Sequence, residues 1–326
     1  MFVLALGAVT LLLEFREGGH ANAVVERLSA GGEDPLELMA AAGRSHRLVF
    51  LADVPGSASA KWLAAEAVET LARTSGLDAV VVAVDPAEQP WIDRYLDSAN
   101  EDAASLVAHP RALGNEGTGT DLLPLFRRVW LLNRELGATR RIRIVAADAP
   151  GWPPVRALSP ASALIRFGER DRQMLEAIES RVLARDARAR VLVFMDGLHV
   201  MRARYRIETG GAAPVEVTPV AAAAAERYPG EVFSFLVDAS VARGTTPVVA
   251  AYRGTSARDV LRRAGIGGAW VGLNVDPGFG RTGSMLSAVT TPGVNLTFDQ
   301  PDAPLASAAD GYIFLGSSGV ETDTNR

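Results

Sequence analysis

Five apolar runs in this chain each close on an aspartate: Asp53, Asp85, Asp148, Asp196 and Asp238. A histidine, His199, follows the fourth of them by three residues, in the string Met195-Asp-Gly-Leu-His199. Strands of a parallel sheet that all end in carboxylates would gather those carboxylates along one edge. Crowded carboxylates repel unless a proton, a cation or positive donors share the space. An imidazole among them could act as general acid or base, or as a metal ligand. For any one aspartate alone, capping the helix that follows its strand is the simpler role. The repetition, with a histidine beside it, is what points to a site. His20, His46 and His109 have no such setting and read as surface or packing residues.

Composition excludes several other chemistries. The 326 residues contain no cysteine, so disulfides, thiolate catalysis and Cys-ligated metals are out. The net charge of −5 argues against a nucleic-acid partner. Hydrophobic residues make up 48% of the chain and charged residues 22%, the balance of a folded globular protein. Of the 33 basic residues only Lys61 is lysine, which reads as an Arg-biased composition and not as an arginine-built site. No G-x-x-x-x-G-K-[ST], G-x-S-x-G or H-E-x-x-H string occurs. Gly278-Phe-Gly-Arg-Thr-Gly283 matches G-x-G-x-x-G, but no helix start follows it, and the 31 glycines make chance matches easy.

The elements that must position the aspartates alternate between strand and helix. Arg47–Ala52 is a continuous apolar run of the kind buried on both faces of a parallel sheet. The next helix takes Ser57 or Ser59 as its cap, carries Leu63, Ala67, Val68 and Leu71 on one stripe, and stops at Gly76. Strand 79–84 and a short helix over 90–96 follow, then a polar, Gly-rich loop over 99–120, long enough for a lid. Asp121 is expected to cap a helix ending at Gly137, with strand 142–147 after it. A helix opening at Ser159-Pro160 should run to about Asp186. Strand 191–195, an Ala-rich helix over 219–228 and strand 232–237 complete five β-units. Beyond them, 255–264 reads as helix, and 270–275 and 312–315 as strands. The fold class expected is α/β: a single domain with helices on both faces of a mostly parallel sheet. Its span is 25–316, with a polar tail at 317–326.

The first 24 residues form a separate apolar segment. Residues 2–13 are too few for an ordinary membrane span but have the length of a signal-peptide core. Ala21-Asn22-Ala23 has the form of a cleavage site, yet no Lys or Arg precedes the run. Export or membrane attachment through 2–13 and a buried first helix in a cytoplasmic protein stand as equal alternatives.

The strings Arg47-Leu-Val-Phe-Leu-Ala-Asp-Val-Pro-Gly56, Ala79-Val-Val-Val-Ala-Val-Asp85, Arg143-Ile-Val-Ala-Ala-Asp148 and Val191-Leu-Val-Phe-Met-Asp-Gly-Leu-His199, with Trp130 and Asn133 between, resemble the ChaN/Tiki/erythromycin-esterase superfamily. The resemblance covers residues 35–315 in outline. It implies a haem-binding uptake protein, an esterase that opens macrolide lactones, or a membrane-associated metal-dependent protease. It also implies that Asp53 keeps the acid of the first turn and His199 the later histidine. Two positions depart: Pro55 stands where the superfamily has a histidine, and Ala83 where it has a glutamate. The expectation is therefore a small-molecule-binding, ChaN-like protein with little or no hydrolase activity, its ligand held at the carboxyl edge by Asp85, Asp148 and Asp238. Haem or a divalent metal is the cofactor to consider, and Trp91, Tyr95, Trp130, Trp152 and Phe279 are the aromatics available to line a pocket. The alternative is an esterase-like or metal-assisted hydrolase with His199, Asp53 and Asp196 as catalytic groups.

Overall fold

A computed structural model describes residues 32–54, 56–114, 122–137, 140–152, 166–209, 213–239, 270–275, 294–298 and 305–316. The five apolar runs form strands β1 (Leu48–Asp53), β2 (Ala79–Val82), β3 (Arg143–Ala146), β4 (Val191–Asp196) and β7 (Val232–Ala239). Their Val, Leu, Ile and Phe side chains are buried on both faces, which is why the runs are continuous and not alternating. Two further strands, β8 (Trp270–Asn274) and β10 (Gly311–Leu315), extend the sheet to seven, in the order β3-β2-β4-β1-β7-β10-β8. Every neighbouring pair is parallel except β10 with the edge strand β8.

Helices cover both faces. On one side lie α1 (Pro35–Ser45), α2 (Ala58–Thr74), α3 (Gln89–Asp97), α4 (Ala103–Val107) and α5 (Leu123–Leu136). Their Leu63, Val68, Tyr95 and Phe126 pack with Val49, Leu51, Leu192 and Phe194 of the sheet. On the other side lie α6 (Phe167–Ile178), α7 (Gly197–Val200) and α8 (Val220–Arg227). There Met174, Leu175, Leu198 and Ala221 pack with Phe50, Ala52, Val193 and Met195. The two sets of sheet residues alternate along each strand, as a two-sided core requires.

Chain order fixes where a ligand could enter. From β1 the chain crosses outward to β2 and β3, then returns to lay β4 between β1 and β2 before adding β7 on the far side of β1. The connection leaving β1 packs on one face, as α2, and the connection leaving β4 packs on the other, as α7 and α8. Adjacent strands whose connections part to opposite faces open a crevice at their carboxyl ends, the place where open α/β sheets bind ligands.

Several boundaries differ from expectation. The polar stretch after residue 99 contains α4 and a 3₁₀ turn at Pro110–Leu113 as far as residue 114, so that part is not a structureless loop. Its small elements are too short to carry a helical period. The helix expected to reach Asp186 ends at Ile178 and continues as a π-helical turn over Glu179–Leu183. A second, three-stranded antiparallel sheet of β6 (Val215–Val217), β5 (Tyr205–Thr209) and β9 (Val294–Phe298) was not foreseen. No helix among the described residues is long and apolar enough to cross a membrane. The apolar segment 2–13, the motif Ala21–Ala23, Pro55, the cap Asp121, the helix start Ser159-Pro160, residues 255–264, Phe279 with its glycine motif and the tail 317–326 lie outside the described residues.

Candidate functional site

Asp53 and Asp196 end β1 and β4 and are paired residues in the parallel register, so their backbones stand about 4.8 Å apart at the crevice. They share a strand face, and each has a different neighbour to manage its charge. Lys61, 5% exposed on the first turn of α2, forms an ion pair with Asp53 and sets its ammonium 5.3 Å from the centre of the Phe194 ring. Burial pushes the Asp53 carboxyl above its ordinary value of 3.8, the Lys61 cation pulls it back, and the Asp196 charge raises it further. Its Oδ1 is buried with no hydrogen-bond partner among the described residues. Asp196 caps α7 by accepting from the Leu198 N–H at 3.0 Å.

That cap aims His199 back into the protein. Its ring is fully buried, and Nδ1 lies 2.8 Å from Oδ1 of Asp171, itself 1% exposed on α6. The same Asp171 oxygen accepts the Val220 N–H at 3.0 Å, which ties α6 to the start of α8. With Nδ1 donating to a carboxylate, the basic nitrogen of a neutral imidazole is Nε2. Tyr205, 1% exposed on β5, completes the group. Its phenol is driven well above 10 by burial and by the charges of Asp171 and Asp196, against a smaller pull from Arg170. Asp196 thus acts electrostatically on Asp53, the partner of Lys61, and on Tyr205, which also feels Asp171, the partner of His199. The arrangement is two paired acid–base units flanking one carboxylate at the switch of the sheet.

The remaining expected ligands sit elsewhere on that edge. Asp148 is clamped by Arg170 through two 2.7 Å hydrogen bonds, and that guanidinium lies over the Trp152 ring at 4.5 Å. Asp148, Trp152 and Arg170 help to line a cleft of about 490 Å³, which Asp53, Asp196 and His199 do not border. Asp85 caps the 3₁₀ turn at Pro86–Glu88, and its other oxygen accepts from the Gly151 N–H at 2.9 Å and from Arg111. Its contacts are those of a structural cap. Asp238, on β7, accepts a hydrogen bond from Tyr312 at 3.1 Å. Gly197 has no positive φ, so the Asp196 cap, not glycine freedom, turns the chain toward His199.

The described aromatics are spread over the fold. Tyr95 and Trp130 are packed in the core against α2, α3 and α5, and Trp91 stacks on His109 at 3.5 Å. Trp152 lies at the carboxyl edge, beneath Arg170. Nor do three His, Asp or Glu side chains come together as a metal-ion site among the described residues.

Asp171 and Lys61 were missed in the sequence, though each left a signal. Asp171 stands on the apolar stripe of its helix with Met174, Leu175, Ile178 and Val182, and Lys61 on the stripe of Ala64, Ala65, Val68 and Ala72. A charged residue at a core-facing helical position must have a buried partner. Ala83 is partly buried against the core.

No model of a known protein family matches this sequence, and no curated protein matches it. Solved structures do. A mutant of the erythromycin esterase EreC in its open conformation is 13% identical, with a TM-score of 0.59 over 86% of this chain and 93% of that one. A protein from Bacillus cereus is 10% identical, with a TM-score of 0.61 over 91% and 97%. A succinoglycan biosynthesis protein is 7% identical, with a TM-score of 0.54 over 90% and 96%. At these identities the likeness is one of fold. It extends over nearly the whole of each chain, and at that level it agrees with the resemblance to the erythromycin-esterase superfamily.

Proposed function

We propose that this protein binds a small molecule at the crevice between β1 and β4 and hydrolyses a carboxylic ester in it. The observation that carries the reading is the Asp171–His199 pair, buried together at 2.8 Å beside the strand-end carboxylates. A buried carboxylate fixes both the tautomer and the orientation of an imidazole, which is the support a general base needs. The erythromycin esterase that shares the fold supplies the reaction class.

In this mechanism Nε2 of His199 takes a proton from water as the water oxygen adds to the ester carbonyl. Asp171, 2.8 Å from Nδ1, stabilises the imidazolium. The imidazolium then returns the proton to the departing alkoxide. The Lys61–Asp53 pair fixes the charge on the far side of Asp196. These roles for His199, Asp53 and Asp196 belong to this proposal, as does a ligand contact for Asp148 or Asp238.

A binding protein without turnover is the second reading. It is favoured by the superfamily's missing histidine and glutamate at Pro55 and Ala83. The test is a panel of 4-nitrophenyl acetate, 4-nitrophenyl butyrate and a macrolide lactone, assayed with wild type and His199→Ala. Turnover by the wild type that drops at least a hundredfold in the variant is expected, in line with the roughly 10²–10⁴-fold contribution of a positioned base. Rates at the buffer background for both proteins would favour the binding reading.

A further inference from the structure

Two buried polar atoms around the Asp171–His199 pair have no hydrogen-bond partner among the described residues: Oδ2 of Asp171 and Oη of Tyr205, whose phenol feels the Asp171 charge. Both residues are 1% exposed. Buried hydroxyls are nearly always hydrogen-bonded, because leaving one unpaired forfeits the bond it made to water. Tyr205 is also held firmly. Its strand is the centre of the three-stranded sheet, pairing Tyr205 with Val217 on one side and Phe298 on the other. The ring packs in the same apolar cluster as Leu198, Val217 and Val220, which flank His199 and the Asp171 cap. A rigid donor with no acceptor among the described residues suits a group that arrives from outside.

We infer that Tyr205 donates a hydrogen bond to the carbonyl oxygen of the bound ester and holds the oxyanion that develops there. The inference rests on the hydrolysis reading above and adds a catalytic residue to it. When water adds, the new C–O bond forms, the carbonyl π pair moves onto oxygen, and His199 carries away the water proton. When the carbonyl re-forms, the ester C–O bond breaks and the alkoxide receives that proton. Tyr205 keeps its own proton throughout, and a phenol raised well above 10 remains a donor across the neutral range.

Tyr205→Phe separates this role from a structural one, because the hydroxyl has no hydrogen-bond partner among the described residues that the variant would lose. The variant should melt at or above the wild-type temperature. A fall of more than about 3 °C would mean that the hydroxyl is bonded within the fold, and the inference would be wrong. On 4-nitrophenyl acetate kcat should fall roughly 10²–10³-fold, the usual cost of one oxyanion donor, with KM within threefold. A kcat within twofold of wild type overturns the inference while leaving His199 as base. Binding of monoethyl phenylphosphonate, a tetrahedral oxyanion mimic, gives a readout independent of turnover. If the wild type hydrolyses nothing, the hydrolysis reading falls and this binding decides alone. Tenfold weaker binding by Tyr205→Phe upholds the donor. Equal binding, or none by the wild type, removes it.

Discussion

Lys61 and Asp53 are the clearest case of one side chain setting the state of another. Burial and the Asp196 charge both favour a proton on Asp53, and the Lys61 cation opposes them. The net shift is upward, so Asp53 binds its proton more tightly in the folded than in the unfolded chain. Its contribution to stability is therefore full below 3.8 and is lost as pH rises through the raised folded value. Lys61→Met removes the opposing cation and widens that window upward. Urea unfolding should show the variant weaker than wild type by on the order of 3 kcal/mol at pH 8, the cost of stranding a buried charge, and by clearly less at pH 4. An equal deficit at both pH values would contradict this account. The lysine's identity also matters: an ammonium fits where a planar guanidinium would need more donors and more room. In a chain that otherwise uses arginine, the one lysine sits at the crevice.

At the scale of elements, the strand ends were legible and their partners were not. A short continuous run such as Val191–Met195, rich in β-branched and aromatic residues, reads as a buried strand, and the aspartate closing it is read directly. What each aspartate bonds to depends on residues brought from far along the chain: Gly151 to Asp85, Arg170 to Asp148, Tyr312 to Asp238. Spacing carries no trace of those meetings. The small antiparallel sheet escaped notice because its strands are three to five residues long and β9 joins from almost ninety positions away. Asp85 illustrates the consequence. It was expected to hold ligand, yet it caps a turn and ties it to Gly151. Asp85→Ala should lower stability by about 1–2 kcal/mol in thermal melts and leave ester turnover unchanged. A loss of turnover with an unchanged melting temperature would return Asp85 to the site.

For the whole molecule, the sheet order is what makes a site out of scattered residues. Laying β4 beside β1 places Asp53 and Asp196 in register, and sending their connections to opposite faces brings Lys61 from one side and Asp171, His199 and Tyr205 from the other. The α/β class with a mostly parallel sheet could be read from the alternation of strands and helices. The position of β4 could not, because nothing local in a strand says which neighbour it will pair with. The central claim is that this junction performs acid–base chemistry through a histidine oriented by Asp171. Asp171→Asn tests it most directly, since the amide nearly matches the carboxylate in shape but cannot stabilise the imidazolium or enforce the same tautomer. Steady-state hydrolysis of 4-nitrophenyl acetate by the folded variant should be slower than wild type by roughly 10³–10⁴-fold. Equal rates in the two proteins, or no wild-type turnover above buffer, would contradict the account.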